Sequence, residues 1–269
     1  MSETEQNLHA ELASLSADLR EFLEWERASG ATHIEADRPV QSQPAVQSVP
    51  ASPAPRPSLK PQSRRQAERQ ASSPAPAQQA PAGEGVVGED LKAIRKELGV
   101  CQRCDLSGQR QNIVFGVGPE RADVVVIGEA PGHHEDVTGE PFVGRAGKLL
   151  NRMLEAIGLN RDTVYISNVI KCRPPENRDP APSEIATCSP FLHRQIRALD
   201  PKVIVTVGRF AGQNIVGSDA SMGELRQEVR SLHGIPVVPT YHPADLLRNP
   251  GMKRAAWDDL CKVRDLLKG

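Results

Sequence analysis

The chain has 269 residues, 38% hydrophobic and 25% charged, with a formal net charge of −1. That length allows one sizeable domain with something added. So near-neutral a balance does not by itself announce nucleic acid, and no apolar run reaches the roughly eighteen residues of a membrane helix. Five cysteines, without a basic and apolar leader, argue against disulfides and for metal or cluster ligation in a cytoplasmic protein.

The charge is unevenly spread: residues 1–89 hold eight Lys+Arg against twelve Asp+Glu, and residues 90–269 hold 25 against 22. In residues 1–30, Leu8, Leu12, Leu15, Leu19 and Phe22 follow a 4-3-4-3 spacing that lines one face of a helix. At about three turns it is marginal alone, so it is expected to dock on the main domain or to bind an unidentified protein partner. Residues 31–87 read as a Pro/Gln/Ser/Ala-rich disordered linker, because ten of the 23 prolines fall between 39 and 83 and little there can be buried.

Residues 88–269 have the character of a folded domain, expected to be monomeric. Asp90 to Leu98 predicts a short helix with Leu91, Ile94 and Leu98 on one face. Val124 to Ile127 is an unbroken β-branched run, as in a strand buried on both faces. Arg145 to Ile157 predicts an amphipathic helix stopped by Gly158, Val164 to Ile170 a second strand, and Pro182 to Leu199 a second long helix. Val203–Val207 and Pro236–Pro239 predict two more strands, and Trp257 to Leu267 a closing helix. Strands alternating with helices imply an α/β fold, a parallel sheet covered on both faces.

Cys101 and Cys104 form a C-x2-C pair, while Cys172 and Cys188 lie far downstream, after the second strand and in the helix that follows. Four thiolates gathered from loops and helix ends suit tetrahedral zinc or a four-iron cluster, and the spacing leaves the metal open. Cys261, in the last helix, is most simply a buried thiol.

Several polar groups end at one edge of the predicted sheet, where open α/β sheets bind ligands. The first strand leads into Gly128-Glu129-Ala130-Pro131-Gly132 and on to Pro141-Phe142-Val143-Gly144; the second ends at Asn168; the fourth precedes His242. An Asn amide can read a base edge or an amide-like ring, a Phe ring stacks, a His donates to a developing anion, and Glu129 or Asp136 orients a water or stabilises a cation. Singly, each residue has a plainer use: Asn168 at a strand end, Phe142 in the core, His242 in a loop, Leu246-Leu247-Arg248 opening a helix. Their convergence favours a site. His133 and His134 are adjacent and point different ways, which disfavours a metal there.

GEAPGHHEDVTGEPFVGRAGKLL, SNVIKCRPPENRDP and HPADLLR together resemble the family 4, iron–sulfur, uracil-DNA glycosylases, over roughly residues 88–269. The resemblance implies an αβα sandwich around a four-stranded parallel sheet, with a structural [4Fe-4S] cluster on Cys101, Cys104, Cys172 and Cys188. It implies a DNA-repair glycosylase that flips uracil out of single- or double-stranded DNA, hydrolyses its N-glycosidic bond and leaves an abasic site. By similarity, Phe142 stacks on the base and Asn168 bonds its O4/N3 edge. Backbone at Gly128, Glu129 and Ala130 holds the ring, His242 faces O2, and Glu129 serves the sugar cation or the water. Leu246, Leu247 and Arg248 would form a wedge in the duplex, and Lys171 and Arg173 would bind flanking phosphates. The alternatives are a noncatalytic iron–sulfur DNA-binding module and a glycosylase of broader deaminated-base range, the latter because His133 and His134 depart from the family's usual acidic or amide residues. The loop from Arg173 to Pro180 carries no histidine, so no covalent trapping of DNA is expected.

Overall fold

β-branched runs and amphipathic segments sort themselves here into one sheet with helices on both faces. The computed structural model describes Arg20, Leu23 and residues 90–269. Arg20 and Leu23 are helical and exposed; the rest of the expected N-terminal helix, and the linker of residues 31–87, lie outside the described residues.

The strands are β1 (Val124–Gly128), β2 (Val164–Asn168), β3 (Val203–Val207), β4 (Arg230–Leu232) and β5 (Ile235–Thr240). They lie in the order β2-β1-β3-β5-β4. β1, β2, β3 and β5 run parallel, and β4 pairs antiparallel with β5. The helices are α1 (Leu91–Leu98), α2 (His133–Thr138), α3 (Arg145–Glu155), α4 (Pro182–Leu199), α5 (Arg209–Val216), α6 (Met222–Leu225), α7 (Pro243–Arg248) and α8 (Lys253–Lys268).

Because strand side chains alternate between faces, β1 divides its valines and isoleucine between two cores. Val124 and Val126 pack with Leu150 and Met153 of α3 and with Trp257 and Leu260 of α8. Val125 and Ile127 pack with Ile94 of α1, Leu192 and Ile196 of α4 and Ile215 of α5. All five residues of β1, β2 and β3 are buried, which is why those runs lack any polar alternation. Asp90 starts α1 by accepting the Ala93 amide at 2.7 Å, an N-cap contact.

The four expected parallel strands are present, and β4 adds an antiparallel fifth at the edge. β4 has no buried residue, so it lacks the apolar signature of the others. Its signal is the turn: His233 at φ 53° and Gly234 at φ 84° are both left-handed, as a two-residue hairpin requires. β2 stops at Asn168, short of Ile170. The short helices α2, α5 and α6 were not legible either; α2, for instance, packs two histidines and β-branched Val137 and Thr138 into six residues, all poor helix formers. Among the described residues no helix is long and apolar enough to cross a membrane.

Candidate active site

Parallel pairing brings the carboxyl ends of β1, β2, β3 and β5 to a common edge. Gly128 stands opposite Asn168 in register, and Val207 opposite Thr240, two residues before His242. A cleft of about 640 Å3 opens there, lined among others by Glu129, Ala130, Phe142, Asn168, His242 and Arg248. A Cβ on Gly128 would fall 2.4 Å from Asn168 Oδ1 and 2.6 Å from Phe142 Cζ. Only glycine lets the amide and the ring close over the end of β1.

Asn168 Oδ1 is buried with no hydrogen-bond partner, a condition that costs about 1–3 kcal/mol. Beside it the Phe142 ring lies 5.7 Å from the His242 ring, tilted by 35°. Phe142 holds φ at 54°, a left-handed conformation that costs such a residue about 1–3 kcal/mol. An unpartnered acceptor and a strained aromatic thus meet in one pocket.

His242 caps α7, and its Nδ1 accepts the Ala244 amide at 3.1 Å. That contact requires an unprotonated Nδ1, so in the neutral ring the proton sits on Nε2. Burial holds the His242 pKa below its ordinary value, with Asp245 acting the other way. Glu129 is shifted in the opposite sense: burial pushes it up to about 7, Asp179 and Asp245 add to the rise, and Arg209 opposes it. The pocket therefore pairs a neutral imidazole with a carboxyl that titrates near neutrality.

The cysteines gather on the face of the sheet that carries α1 and α4. Burial pushes Cys172 up to about 11, with Arg110 opposing and Cys188 and Cys104 adding. Cys188 is raised by burial too, and Cys104 and Cys101 act on it. Three of the four sulfurs accept N–H donors, each at 3.3 Å: Cys101 from Arg103, Cys172 from Arg110, and Cys188 from the Lys171 amide. Donors aimed at sulfur suit thiolate ligands. Among the described residues, no three His, Cys, Asp or Glu side chains converge tightly enough to hold a single metal ion.

Three expectations are corrected. Asp136 is buried and accepts the Gln111 and Asn112 amides at 2.9 and 3.3 Å, so it anchors the segment before β1 rather than serving the cleft. Lys171 is only 1% exposed and donates to Ser167 Oγ at 2.7 Å and to the Asn168 carbonyl at 2.8 Å; burial drives it down to about 7. It braces the Asn168 backbone and cannot meet a phosphate. Leu246 is fully buried in the core, which removes it from a wedge and leaves Leu247, 39% exposed, and Arg248, an exposed partner of Asp245. Arg173 remains near the surface, with Nη1 3.3 Å from His133 Nδ1.

Glu135 escaped the sequence reading. Its Oε1 accepts the Val143 and Gly144 amides at 3.1 and 3.3 Å. Arg161 also escaped, since it stands nineteen positions from the Phe142 carbonyl it binds. Nothing in the local pattern around either residue marks these contacts.

Residues 115–261, more than half of the chain, match the uracil DNA glycosylase superfamily. The type-4 uracil-DNA glycosylase of Archaeoglobus fulgidus is 45% identical over 186 residues, covering 66% of this chain and 94% of its own. That of Thermotoga maritima is 41% identical over 184 residues, 67% of this chain and 96% of its own. The type-5 enzyme of Pyrobaculum aerophilum is more distant, 32% identical over 172 residues, 54% of this chain and 75% of its own. The chain belongs to the type-4 branch of the uracil-DNA glycosylase superfamily.

Proposed function

We propose that the protein is a DNA-repair enzyme that excises uracil by hydrolysing the N-glycosidic bond of deoxyuridine, leaving an abasic site. The observation that carries this reading is the buried, unpartnered Asn168 Oδ1 beside the Phe142 ring. Uracil N3–H is a donor and satisfies that oxygen; cytosine presents a lone pair at N3 and leaves it unsatisfied, a difference that buried sites amplify. The ring face supplies stacking for a base taken out of the helix.

As the C1′–N1 bond breaks, its electron pair moves into the base and negative charge collects on O2. His242, neutral because of its burial and its Nδ1 contact, donates Nε2–H to that oxygen without having to lose a proton. Glu129, once ionised, steadies the cationic sugar and orients the water that attacks C1′. Arg209 and Arg248, at the rim of the cleft, and Arg173 nearby are the candidates for flanking phosphates. Leu247 and Arg248 fill the space the base leaves.

Cys101, Cys104, Cys172 and Cys188 would hold a [4Fe-4S] cluster. The donors aimed at three of the four sulfurs suit thiolates that carry a cluster's charge. When bound, the cluster supplies cross-linking, tying the segment after α1 to the loop after β2 and to α4. Residues 88–269 would act as the catalytic unit, monomeric, with residues 1–87 as an extension, in the cytoplasm.

The test is cleavage of an oligonucleotide with a single uracil by anaerobically purified protein, scored as alkali-labile sites, with Asn168→Ala alongside. Abasic product from the wild type and little from the variant is expected. A cluster-loaded wild type that binds DNA and yields no product would replace this reading with a binding module.

A further inference from the structure

Phe142 is a strained residue of the cleft, and Arg161, one of the groups that hold it so, lies outside the cleft lining. In its left-handed conformation the chain presents two consecutive carbonyls to one side, whereas extended backbone would point them in opposite directions. Arg161, in the turn between α3 and β2, receives both: Nη2 donates to the Pro141 carbonyl at 2.7 Å and Nη1 to the Phe142 carbonyl at 3.1 Å. Nη1 also reaches Asn151 Oδ1 of α3 at 3.4 Å. The guanidinium is half-buried, and burial lowers its pKa with Glu140 opposing; a fork in that setting holds carbonyls more firmly than an exposed one.

Two further contacts close the seat. A Cβ on Gly147 would lie 1.7 Å from the Phe142 carbonyl oxygen, so that carbonyl is packed against the first turn of α3 with no room to turn. On the far side of the ring-bearing residue, Glu135 Oε1 takes the next two amides, those of Val143 and Gly144. Carbonyls are gripped on one side and amides on the other, and the residue between them cannot relax to negative φ.

We propose that Arg161 is a positioning residue for uracil excision: its guanidinium fork holds Phe142 in the left-handed conformation that sets the ring as the stacking face for the extruded base. This rests on the reading of Phe142 as that face. Arg161 touches neither substrate nor reacting atoms, and its whole effect on the reaction passes through Phe142.

The experiment is a double-mutant cycle on the full-length, cluster-loaded protein. Single-turnover excision from a single-stranded oligonucleotide with one uracil is measured for the wild type, Arg161→Met, Phe142→Ala and the double variant. Arg161→Met should slow excision by about tenfold in the wild-type background and by less than about twofold where Phe142 is already Ala. Equal losses in both backgrounds, or none in the first, overturn the proposal; a general weakening of the fold would show as the equal loss. Should thermal melting show Arg161→Met unfolded, Arg161→Lys, which keeps the charge but not the fork, is expected to give a smaller loss with the same non-additivity, and an additive loss overturns the proposal. A Phe142→Ala protein as active as wild type would overturn the stacking face itself, a different result from an impaired Phe142→Ala beside an unimpaired Arg161→Met.

Discussion

Two regions at the end of β5 bury polar and charged side chains in opposite ways. Behind the strand, Asp259 is 1% exposed and accepts from Arg226 Nε at 2.5 Å and Lys262 Nζ at 3.4 Å. Arg226 also donates to the Ala255 carbonyl and lies 4.6 Å over the Tyr241 ring. In front of it, in the cleft, Asn168 Oδ1 has no partner and Glu129 has two carboxylates acting against it for one opposing arginine. Burial raises the Asp259 carboxyl as it does Glu129, but Asp259 has Arg226 and Lys262 in direct contact to oppose it, whereas Asn168 Oδ1 has no partner at all. Direct partners hold Asp259 in the fold; the unpartnered group in the cleft is one a substrate can satisfy.

Substitutions in the two regions should act differently. Asp259→Ala leaves a partly buried guanidinium without its carboxylate and should cost about 3–5 kcal/mol of stability, read as a lower urea midpoint with an unchanged slope. His242→Ala should do the reverse. It removes the donor to the developing charge and should slow single-turnover excision by about 10²–10³-fold, with substrate-DNA binding much less affected and the urea midpoint lowered only by the lost α7 cap, about 1 kcal/mol. Similar profiles for both variants would erase the distinction between framework and site.

What was legible in the sequence followed from burial and spacing. The strands β1, β2 and β3 are uniformly apolar or nearly so, and the helices α3 and α4 have long one-sided faces, so their periods declare them. Gly128, Glu129, Phe142, Asn168 and His242 were legible because each directly follows or ends such a strand, or belongs to the recognisable run after β1. β4 and α2 were not, since neither has a run of apolar residues long enough to set a period. Lys171 misled because a lysine beside an arginine and two prolines suggests a wet surface, whereas two oxygens of β2 take its ammonium inside. Leu246 misled in the other direction: within His242-Pro243-Ala244-Asp245-Leu246-Leu247-Arg248, only helix phase separates the buried leucine from the exposed one. Glu135 and Arg161 act on backbone amides and carbonyls, and a sequence carries no mark of which peptide group a distant side chain will meet.

At Glu129 the expected effect is smaller and is carried by pH. Its pKa of about 7 stands above the ordinary 4.5, chiefly through burial. If excision requires the ionised form, the single-turnover rate should fall about tenfold per pH unit below about pH 6 and level off above about pH 8. Glu129→Gln should be slow and nearly flat across that range. Stability moves the opposite way. The folded protein binds this proton more tightly than the unfolded chain does, so the contribution is fully present below pH 4.5, declines as pH rises, and is lost above about 7. Glu129→Gln, which never ionises, should therefore melt higher than wild type at pH 8, with the difference vanishing toward pH 4. A variant that is slower in catalysis yet more stable at alkaline pH is the behaviour of a carboxylate held in the cleft for the reaction at the expense of the fold. A melting difference independent of pH would mean that burial does not raise Glu129 in the folded protein, and that no carboxylate is held in the cleft at the expense of the fold.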